Sequence, residues 1–227
     1  MAKKTQETTP ETGLENLNDS LTATVQKVQD NKKIITICSL AVIAVIAIIL
    51  VYIYAFRTPG IQKANDTIGA ADLQLALGND SVAMAQYMDL ADNGSYEAAN
   101  RAALQSAILL YKDGKYEEAL KYAEKYSDKD EIIGAGAKSL KGDCLVNLDR
   151  LDEAVKAFNE AVSVSDNNPA YTPFFLMKLA RVYAAQGNHE KEAEAYGKIV
   201  EDYPLYGQSH NIDVQKLLDR ANLQAGK

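Results

Sequence analysis

The pattern of hydrophobic and polar positions divides the chain into three zones. Residues 1–33 are polar and charged, residues 34–56 carry no charged side chain, and residues 64–206 place apolar side chains at helical spacing between short polar turns. The apolar run has 23 residues, and as a helix it would span roughly 34 Å, enough to cross the hydrocarbon layer of a bilayer. The pattern therefore predicts one transmembrane helix over 34–56, followed by a helical domain.

A buried core helix and a cleaved signal peptide are the alternatives for this apolar segment. An uncharged run of 23 residues is long for a core helix. A signal peptide has a short leader and a small-x-small cleavage site, whereas this leader has 33 residues and the run ends in Ala55-Phe56-Arg57. An uncleaved signal anchor fits both features, and Tyr52, Tyr54 and Phe56 would lie at its interfacial end.

Basic residues flank the apolar segment unequally. Lys27, Lys32 and Lys33 lie close on its N-terminal side, against Arg57 and Lys63 on the other side. Because positive charge is retained in the cytoplasm, we expect residues 1–33 to be a cytoplasmic leader and the C-terminal domain to be translocated. In a bacterium this places the anchor in the inner membrane and the domain in the periplasm.

The leader and the segment after the span have weaker patterns of their own. Spacings of three and four residues alternate in the leader along Leu14, Leu17, Leu21, Thr24 and Val28, four of which are apolar. They would give a short amphipathic helix, and a polar tail with chance periodicity is the alternative over so short a stretch. After the span, Pro59-Gly60 predicts a break in the chain, with a linker over 57–63.

The soluble domain repeats itself along the sequence. Three polar turns, each followed by an acidic and alanine-containing helix start, occur 35 and then 38 residues apart, and a weaker copy lies 36 residues before the first. The segments cover 77–80, 112–120, 147–155 and 186–193. Self-similarity at this period is typical of stacked helix-turn-helix units. We therefore predict an all-α solenoid with three clear repeats and one weak repeat.

Each predicted repeat has small residues where its two helices would cross. In helix A, the first of each pair, they are Ala71, Ala107, Gly142 and Ala180. In helix B they are Ala83, Ala119 and Ala154, and a larger side chain is expected one turn after this position, as at Tyr87, Phe158 and Tyr196. This arrangement resembles the tetratricopeptide repeat. Glu192 and Ala123 depart from it, since they stand where a small and an aromatic residue are expected.

The end of the chain predicts a cap for the last repeat. Thr172 is expected to cap helix A of that repeat, with Pro173 in its first turn. Pro204 ends its helix B, and residues 207–227 include an amphipathic segment that would cover the open apolar face of the solenoid.

The order of leader, single anchor and small repeat domain carries a second resemblance. It is similar to the YfgM-like ancillary subunits of the bacterial Sec translocon, above all to their membrane-anchored relatives of the Bacteroidetes type. The residues that carry this resemblance are 140–143, Tyr171-Thr172-Pro173 with Leu176 and Lys178, and 196–204. It implies a noncatalytic adaptor or chaperone accessory, with translocon subunits, a membrane-anchored prolyl isomerase or unfolded polypeptides as partners. A structural subunit of a cell-envelope or secretion complex is the alternative.

Charge and motifs give no support to several other functions. The net charge is −7, and the acidic excess falls after Phe56, so we expect no nucleic-acid binding. The sequence has no glycine-rich phosphate loop or nucleophile elbow, and His189 and His210 lack partners at metal-ligand spacing. We therefore expect no enzymatic activity, cofactor, metal or small-molecule substrate. Cys38 lies in the predicted span, and Cys144 is expected to be a small buried thiol.

The helix-A positions that point away from helix B should form the binding surface of such a solenoid. By repeat position these residues are Leu104, Ile108, Tyr111, Asp143, Val146, Met177 and Arg181. Their mixed apolar and polar character suits an extended segment or a helix of another protein. Packing between neighbouring repeats is the alternative role for each of them.

Overall fold

The structure, a computed structural model, describes residues 21–22, 25–26, 29, 31–127 and 130–227. These residues form two compact units that divide between Pro59 and Gly60. Every regular element in the described part of the chain is helical, which confirms the predicted all-α class. The amphipathic helix predicted in the leader lies largely outside the described residues.

The first unit contains the apolar helix. Helix α1 covers Lys32–Tyr52 and is followed by a π-helical turn over Ile53–Arg57. Thr36 and Ser39 each donate a side-chain hydrogen bond of 2.8 Å to the carbonyl four residues earlier, so their hydroxyl groups are satisfied within the helix. In the part of the chain that the structure describes, this is the helix long and apolar enough to cross a membrane. It is compatible with a membrane anchor.

The segment predicted as a linker is helical instead. Helix α2 covers Thr58–Ala76, so the expected break at Pro59-Gly60 is absent, although the boundary between the two units falls there. Pro59 lies in the first turn of α2, where a missing N–H group is tolerated. Gly60 has a packing role, because a Cβ atom at this position would lie 2.7 Å from the hydroxyl oxygen of Tyr96.

The second unit is a stack of helix pairs closed by a terminal helix. Helix A and helix B of the successive repeats are α2 and α3 (Asp80–Asn93), α4 (Tyr96–Lys112) and α5 (Tyr116–Lys125), α6 (Ile133–Asn147) and α7 (Leu151–Val164), and α8 (Thr172–Ala185) and α9 (His189–Asp202). They are followed by a short helix α10 (Tyr206–His210) and by α11 (Val214–Gln224). The weak first repeat of the sequence is thus a helix pair like the others.

The tight turn from helix A to helix B needs one residue with left-handed backbone geometry. Gly78, Gly114 and Gly187 have φ values between 69° and 77°, and Asp149 has a φ of 57°. Glycine adopts this geometry without a Cβ clash, and Asp is one of the few other residues that tolerate it. The four positions lie 36, 35 and 38 residues apart. The repeat period of the sequence therefore equals the distance between successive residues that must adopt this left-handed conformation.

Small residues of helix A pack against large side chains of helix B, as predicted. The small positions Ala71, Ala107, Gly142 and Ala180 are all buried. The large side chains of Tyr87, Phe158 and Tyr196 are at most 2% exposed. The approach is closest in the third repeat, where a Cβ atom on Gly142 would lie 2.7 Å from the ring of Phe158. Helix α6 therefore approaches α7 to a distance that glycine alone permits.

The last repeat compensates for its departure from the pattern with buried polar contacts. Glu192 is fully buried, and its carboxylate lies 2.8 Å from Nδ1 of His189 and 3.3 Å from the guanidinium group of Arg220. A buried carboxylate without partners is strongly destabilising. Arg220 supplies one of these partners from α11, so the contact connects the terminal helix to the last repeat. Val214 and Ala221 of α11 are buried in the core cluster of the same repeat.

The start of α8 differs from the cap that the sequence predicts. Tyr171 precedes the helix, Thr172 is its first residue, and no side chain caps its N-terminus. The buried hydroxyl of Thr172 instead lies 2.7 Å from that of Ser165, because the chain after α7 is short enough to bring the two together. Thr172 therefore joins the end of α7 to the start of α8. Pro173 lies in the first turn, as predicted.

Replacing Gly142 with alanine tests the close approach of α6 and α7. The added methyl group would meet the buried Phe158 ring, and we expect the free energy of unfolding to fall by about 1 to 3 kcal/mol, as in other overpacked cores. Gly136, in the same helix, has open space around its Cβ position, so Gly136→Ala should raise the free energy by about 0.5 to 1 kcal/mol. Urea unfolding followed by circular dichroism measures both, and equal effects would contradict the argument.

Candidate protein-interaction surface

The seven helix-A residues predicted to line a binding surface differ in exposure. The half-buried ones are Leu104, Ile108, Tyr111 and Asp143, and the exposed ones are Val146 and Arg181. Met177 is only 4% exposed and packs in the core cluster of the last repeat. Its side chain is unavailable to a partner, because α9 and the segments after it cover this part of α8. Met177 therefore packs in the core, which was the alternative to a role in binding a partner.

Tyr111 joins the second and third repeats. Its ring lies edge-on to that of Tyr116, with 5.4 Å between the ring centroids. Its hydroxyl oxygen accepts a hydrogen bond of 3.3 Å from Nδ2 of Asn147, and Asn147 also donates to the carbonyl of Asp143 at 2.8 Å. Burial raises the pKa of Tyr111, so the hydroxyl stays protonated at neutral pH. It can act as a donor toward a bound protein segment.

Asp143 forms an ion pair with Lys178 on the next helix A. The side chains of Lys178 and Asp143 are 22% and 24% exposed. Burial raises the pKa of Asp143, and the attraction of Lys178 opposes that rise. The ammonium group of Lys178 also lies 4.8 Å from the ring centroid of Phe174 and 5.8 Å from that of Phe158. A cation–π contact of this kind holds the lysine in place between α6 and α8.

Cys144, the neighbour of Asp143, is buried as predicted. Its exposure is 0%, and burial together with the charge of Asp143 raises the pKa of its thiol to about 12. Since the thiolate is the reactive form of cysteine, this group is inert near neutral pH. It packs with Ala107 and Phe158 in the central core cluster.

The candidate surface presents groups of a kind that could contact a polypeptide. Within the described parts of the chain, no group of three or more His, Cys, Asp or Glu side chains is placed to hold a metal ion. What consecutive A helices present is a row of apolar and hydrogen-bonding groups: Leu104, Ile108, Tyr111, Asn147, the Asp143–Lys178 pair and Arg181. Such a row can contact the side chains and backbone of an extended or helical segment.

Sequence reasoning missed Asn147 and included Lys178 only through a resemblance. Asn147 follows Tyr111 by 36 residues, and Lys178 follows Asp143 by 35 residues. This spacing is one repeat, at which side chains of consecutive A helices meet. A search for complementary residues one repeat apart would have found both.

Comparisons with known proteins agree with this architecture. A family model described as a tetratricopeptide repeat-like domain matches residues 62–184, and a tetratricopeptide repeat model matches residues 175–206. The chain belongs to the tetratricopeptide repeat-like domain family. Domains of this family are typically noncatalytic scaffolds, and the second unit is a protein-interaction module of this kind.

Solved structures share the fold of the tetratricopeptide repeat domain at low sequence identity. A crystal structure of MamA protein is 18% identical, covers 72% of this chain and 82% of its own, and has a TM-score of 0.57. A second MamA crystal structure is 18% identical, covers 69% and 94%, and has a TM-score of 0.52. A crystal structure from Podosopora anserina contains TPR-like repeats that are nearly identical to one another. It is 14% identical to this chain, covers 72% of this chain and 87% of its own, and has a TM-score of 0.54. No curated protein matches the chain significantly.

Replacing Lys178 with methionine tests the ion pair, because it removes the charge and keeps an apolar stem against Phe174. We expect the free energy of unfolding at neutral pH to fall by about 1 to 3 kcal/mol, since the half-buried carboxylate of Asp143 loses its counter-charge. A native pKa above the unfolded value means that the folded state binds the proton more tightly. The loss should therefore shrink as the pH falls through the raised pKa of Asp143.

Lys138→Met is the matched control for this experiment. The partner of Lys138 is Glu160, whose side chain is 55% exposed, so the change in the free energy of unfolding should stay below about 1 kcal/mol. Urea unfolding at neutral and at mildly acidic pH measures both variants against the unaltered protein. Equal changes in the free energy of unfolding for the Lys178 and Lys138 variants at both pH values would contradict the role of the Asp143–Lys178 pair.

Proposed function

We propose that this protein is a noncatalytic, membrane-tethered module that binds an extended segment or a helix of another protein along its helix-A face. The observation that carries the proposal is the pair of contacts between consecutive A helices, Tyr111 with Asn147 and Asp143 with Lys178. They hold polar groups at one-repeat intervals beside half-buried apolar side chains. Helix α1 supports the tether, and tethering raises the local concentration of a weak binder without any new contact.

We propose further that the module acts at the Sec translocon, on the translocated side of a bacterial inner membrane. The support is the resemblance of the chain to YfgM-like subunits and the excess of lysine before the apolar segment, at Lys27, Lys32 and Lys33. In this topology the repeat domain would meet polypeptides as they leave the translocon. Its partners would be translocon subunits, a membrane-anchored prolyl isomerase or the unfolded polypeptides themselves.

A structural subunit of a cell-envelope or secretion complex is the second candidate. The observation that favours it is the apolar character of Leu104 and Ile108, which are half-buried on the helix-A face. Apolar contacts of this kind suit a surface that one partner covers permanently, because obligate interfaces are more hydrophobic than transient ones.

Photocrosslinking of the full-length protein in its native membrane separates the two candidates. A photoreactive phenylalanine analogue at Val146, exposed on helix α6, should crosslink translocon subunits and several client polypeptides. The matched control is the same analogue at Lys156, exposed on helix α7, which should crosslink neither. One stoichiometric partner at Val146 would favour the structural subunit. Equal crosslinking from both positions would contradict the assignment of the helix-A face.

Substitution of Tyr111 and Arg181 with alanine tests the same face without a probe. Truncation of central interface residues of these types commonly costs about 1 to 3 kcal/mol of binding free energy, so partner recovery from native membranes should fall at least several-fold. Arg150→Ala is the control, because Arg150 pairs with Glu153 of its own turn, away from the helix-A face. Unchanged recovery with the double variant, at unchanged stability, would remove these two residues from the site.

A further inference from the structure

The helix pairs give the repeat domain two distinct edges. The turn edge contains the tight turns from helix A to helix B at Gly78, Gly114, Asp149 and Gly187. The inter-repeat edge lies at the other ends of the helices, where each helix B ends and the next helix A begins. It also contains Gly60, the first residue of the domain.

Contacts between successive repeats show that the B-to-A connections share one edge. The ring of Tyr96, at the start of α4, rests on Gly60, at the start of α2. The side chain of Asn100 donates to the carbonyl of Ser127 at 3.1 Å and accepts from its N–H at 2.8 Å. Farther along the stack, Phe175 of α8 packs with residues near the start of α6 and the end of α7. These contacts join the start of α2 to that of α4, α4 to the connection that precedes α6, and the start of α6 to that of α8.

In the three repeats after the first, large hydrophobic side chains are exposed mainly on this inter-repeat edge. Among the described residues from 96 to 206, they are Tyr96 (41% exposed), Ile132 (45%), Ile133 (54%), Tyr171 (38%), Phe174 (43%) and Leu205 (70%), with Val146 (38%) alone near the turn edge. The remaining ones in the domain, Leu73, Leu77, Val82 and Leu223, belong to the first repeat and the terminal helix. Those elements lack a further repeat to cover them.

Chain connectivity leaves the start of the inter-repeat edge, at Gly60, within reach of a bilayer that holds the predicted span. Gly60 follows Phe56, the last residue of the span, by four residues, and four residues reach at most about 14 Å. Leu77, at the turn edge of the same repeat, lies 17 residues beyond Gly60, which is about 26 Å along a helix. A bilayer is therefore an apolar surface that this edge can reach without any partner protein.

The side chains on the edge suit the interfacial region of a bilayer. Tyrosine rings favour the level of the lipid headgroups, where their apolar body and polar tip are both accommodated. Phenylalanine and other apolar side chains can be buried at the boundary between headgroups and acyl chains. Two basic residues of the A helices are neutralised, since Arg101 pairs with Asp72 and Lys138 with Glu160, whereas Lys63 lines the same pocket as Tyr96. The contact would thus depend on apolar insertion rather than on anionic lipid, which the acidic domain would repel.

We propose that the inter-repeat edge of the repeat domain rests on the surface of the bilayer in which the chain is anchored, with Ile133, Tyr171 and Phe174 entering the headgroup region. This inference rests on the membrane tether proposed above. Tyr111 and Val146 lie near the turn edge, at the ends of α4 and α6. The part of the candidate interaction surface near the turn edge would therefore stay open to a partner, whereas Lys178 lies beside Phe174 at the membrane contact.

Tryptophan quenching tests this arrangement directly, because the protein contains no tryptophan. The full chain would be reconstituted in phosphatidylcholine vesicles with and without a spin label near the headgroup, as four single variants. Phe56→Trp reports on the span, Ile133→Trp and Phe174→Trp on the inter-repeat edge, and Leu77→Trp, at a position 64% exposed, on the turn edge. The label should reduce the fluorescence of the first three variants to roughly half, because interfacial side chains lie at headgroup level, and leave Leu77→Trp unchanged.

The four variants separate failure of the tether from failure of the edge contact. An unquenched Phe56→Trp would overturn the tether. A quenched Phe56→Trp with Ile133→Trp and Phe174→Trp no more quenched than Leu77→Trp would overturn the edge contact alone. The two edge variants could instead show a blue-shifted emission maximum that disappears on dilution, with no quenching by the label. This result would show that a second copy of the protein covers the edge, and it would also overturn the inference. Each variant must have the same unfolding midpoint as the unaltered protein. If Ile133→Trp or Phe174→Trp does not, Tyr171→Trp takes its place as a reporter of the edge.

Discussion

The repeat domain depends on how closely helix A and helix B cross in each pair. Gly142 against Phe158 is the limiting case, since a single added carbon would lie 2.7 Å from the ring. The ring fills the space that a helix-A side chain would otherwise occupy, and this fixes the position of α6 on α7. Asp143 and Cys144 follow Gly142 in the same helical turn, so the crossing also determines their directions. Asp143 reaches Lys178, and Cys144 is buried. The proposed interaction surface would therefore be positioned by a residue that has no side chain.

In the last repeat, the small helix-B residue of the crossing is replaced, and a polar contact takes over its role. Glu192 stands at the small position of the last repeat and is fully buried, so its charge needs partners that the repeat itself supplies only in part through His189. Arg220 of the terminal helix completes the set. A buried ion pair adds little net stability, whereas loss of one partner leaves a costly buried charge. The pair therefore makes correct docking of α11 a condition for a stable last repeat, which is where a solenoid would otherwise expose an apolar face.

The fold could be predicted from the sequence because its determinants are local and recur with the repeat. The left-handed turn residue and the small crossing residues each appear once per repeat, so their period identifies the architecture. Determinants that act across repeats were not predictable in this way. Pro59-Gly60 predicts a break, but Gly60 serves the Tyr96 ring of the next repeat. Tyr111 and Asp143 follow from repeat position, whereas the burial of Met177 depends on elements packed around the last repeat, which no single repeat encodes.

Tyr111 and Val146 of the proposed interaction surface lie at the turn edge, away from the proposed membrane contact at the other ends of the A helices. Together the two proposals would explain how a modest surface could act. A module attached by one helix alone would still rotate freely, and a partner would have to restrict that rotation on binding. A domain that rests on the bilayer through its inter-repeat edge has already lost much of this freedom before a partner arrives. The tether then confines the surface to the membrane, and the edge contact would orient it. The few polar groups on the helix-A face would need only to select a partner, because neither concentration nor orientation would depend on them.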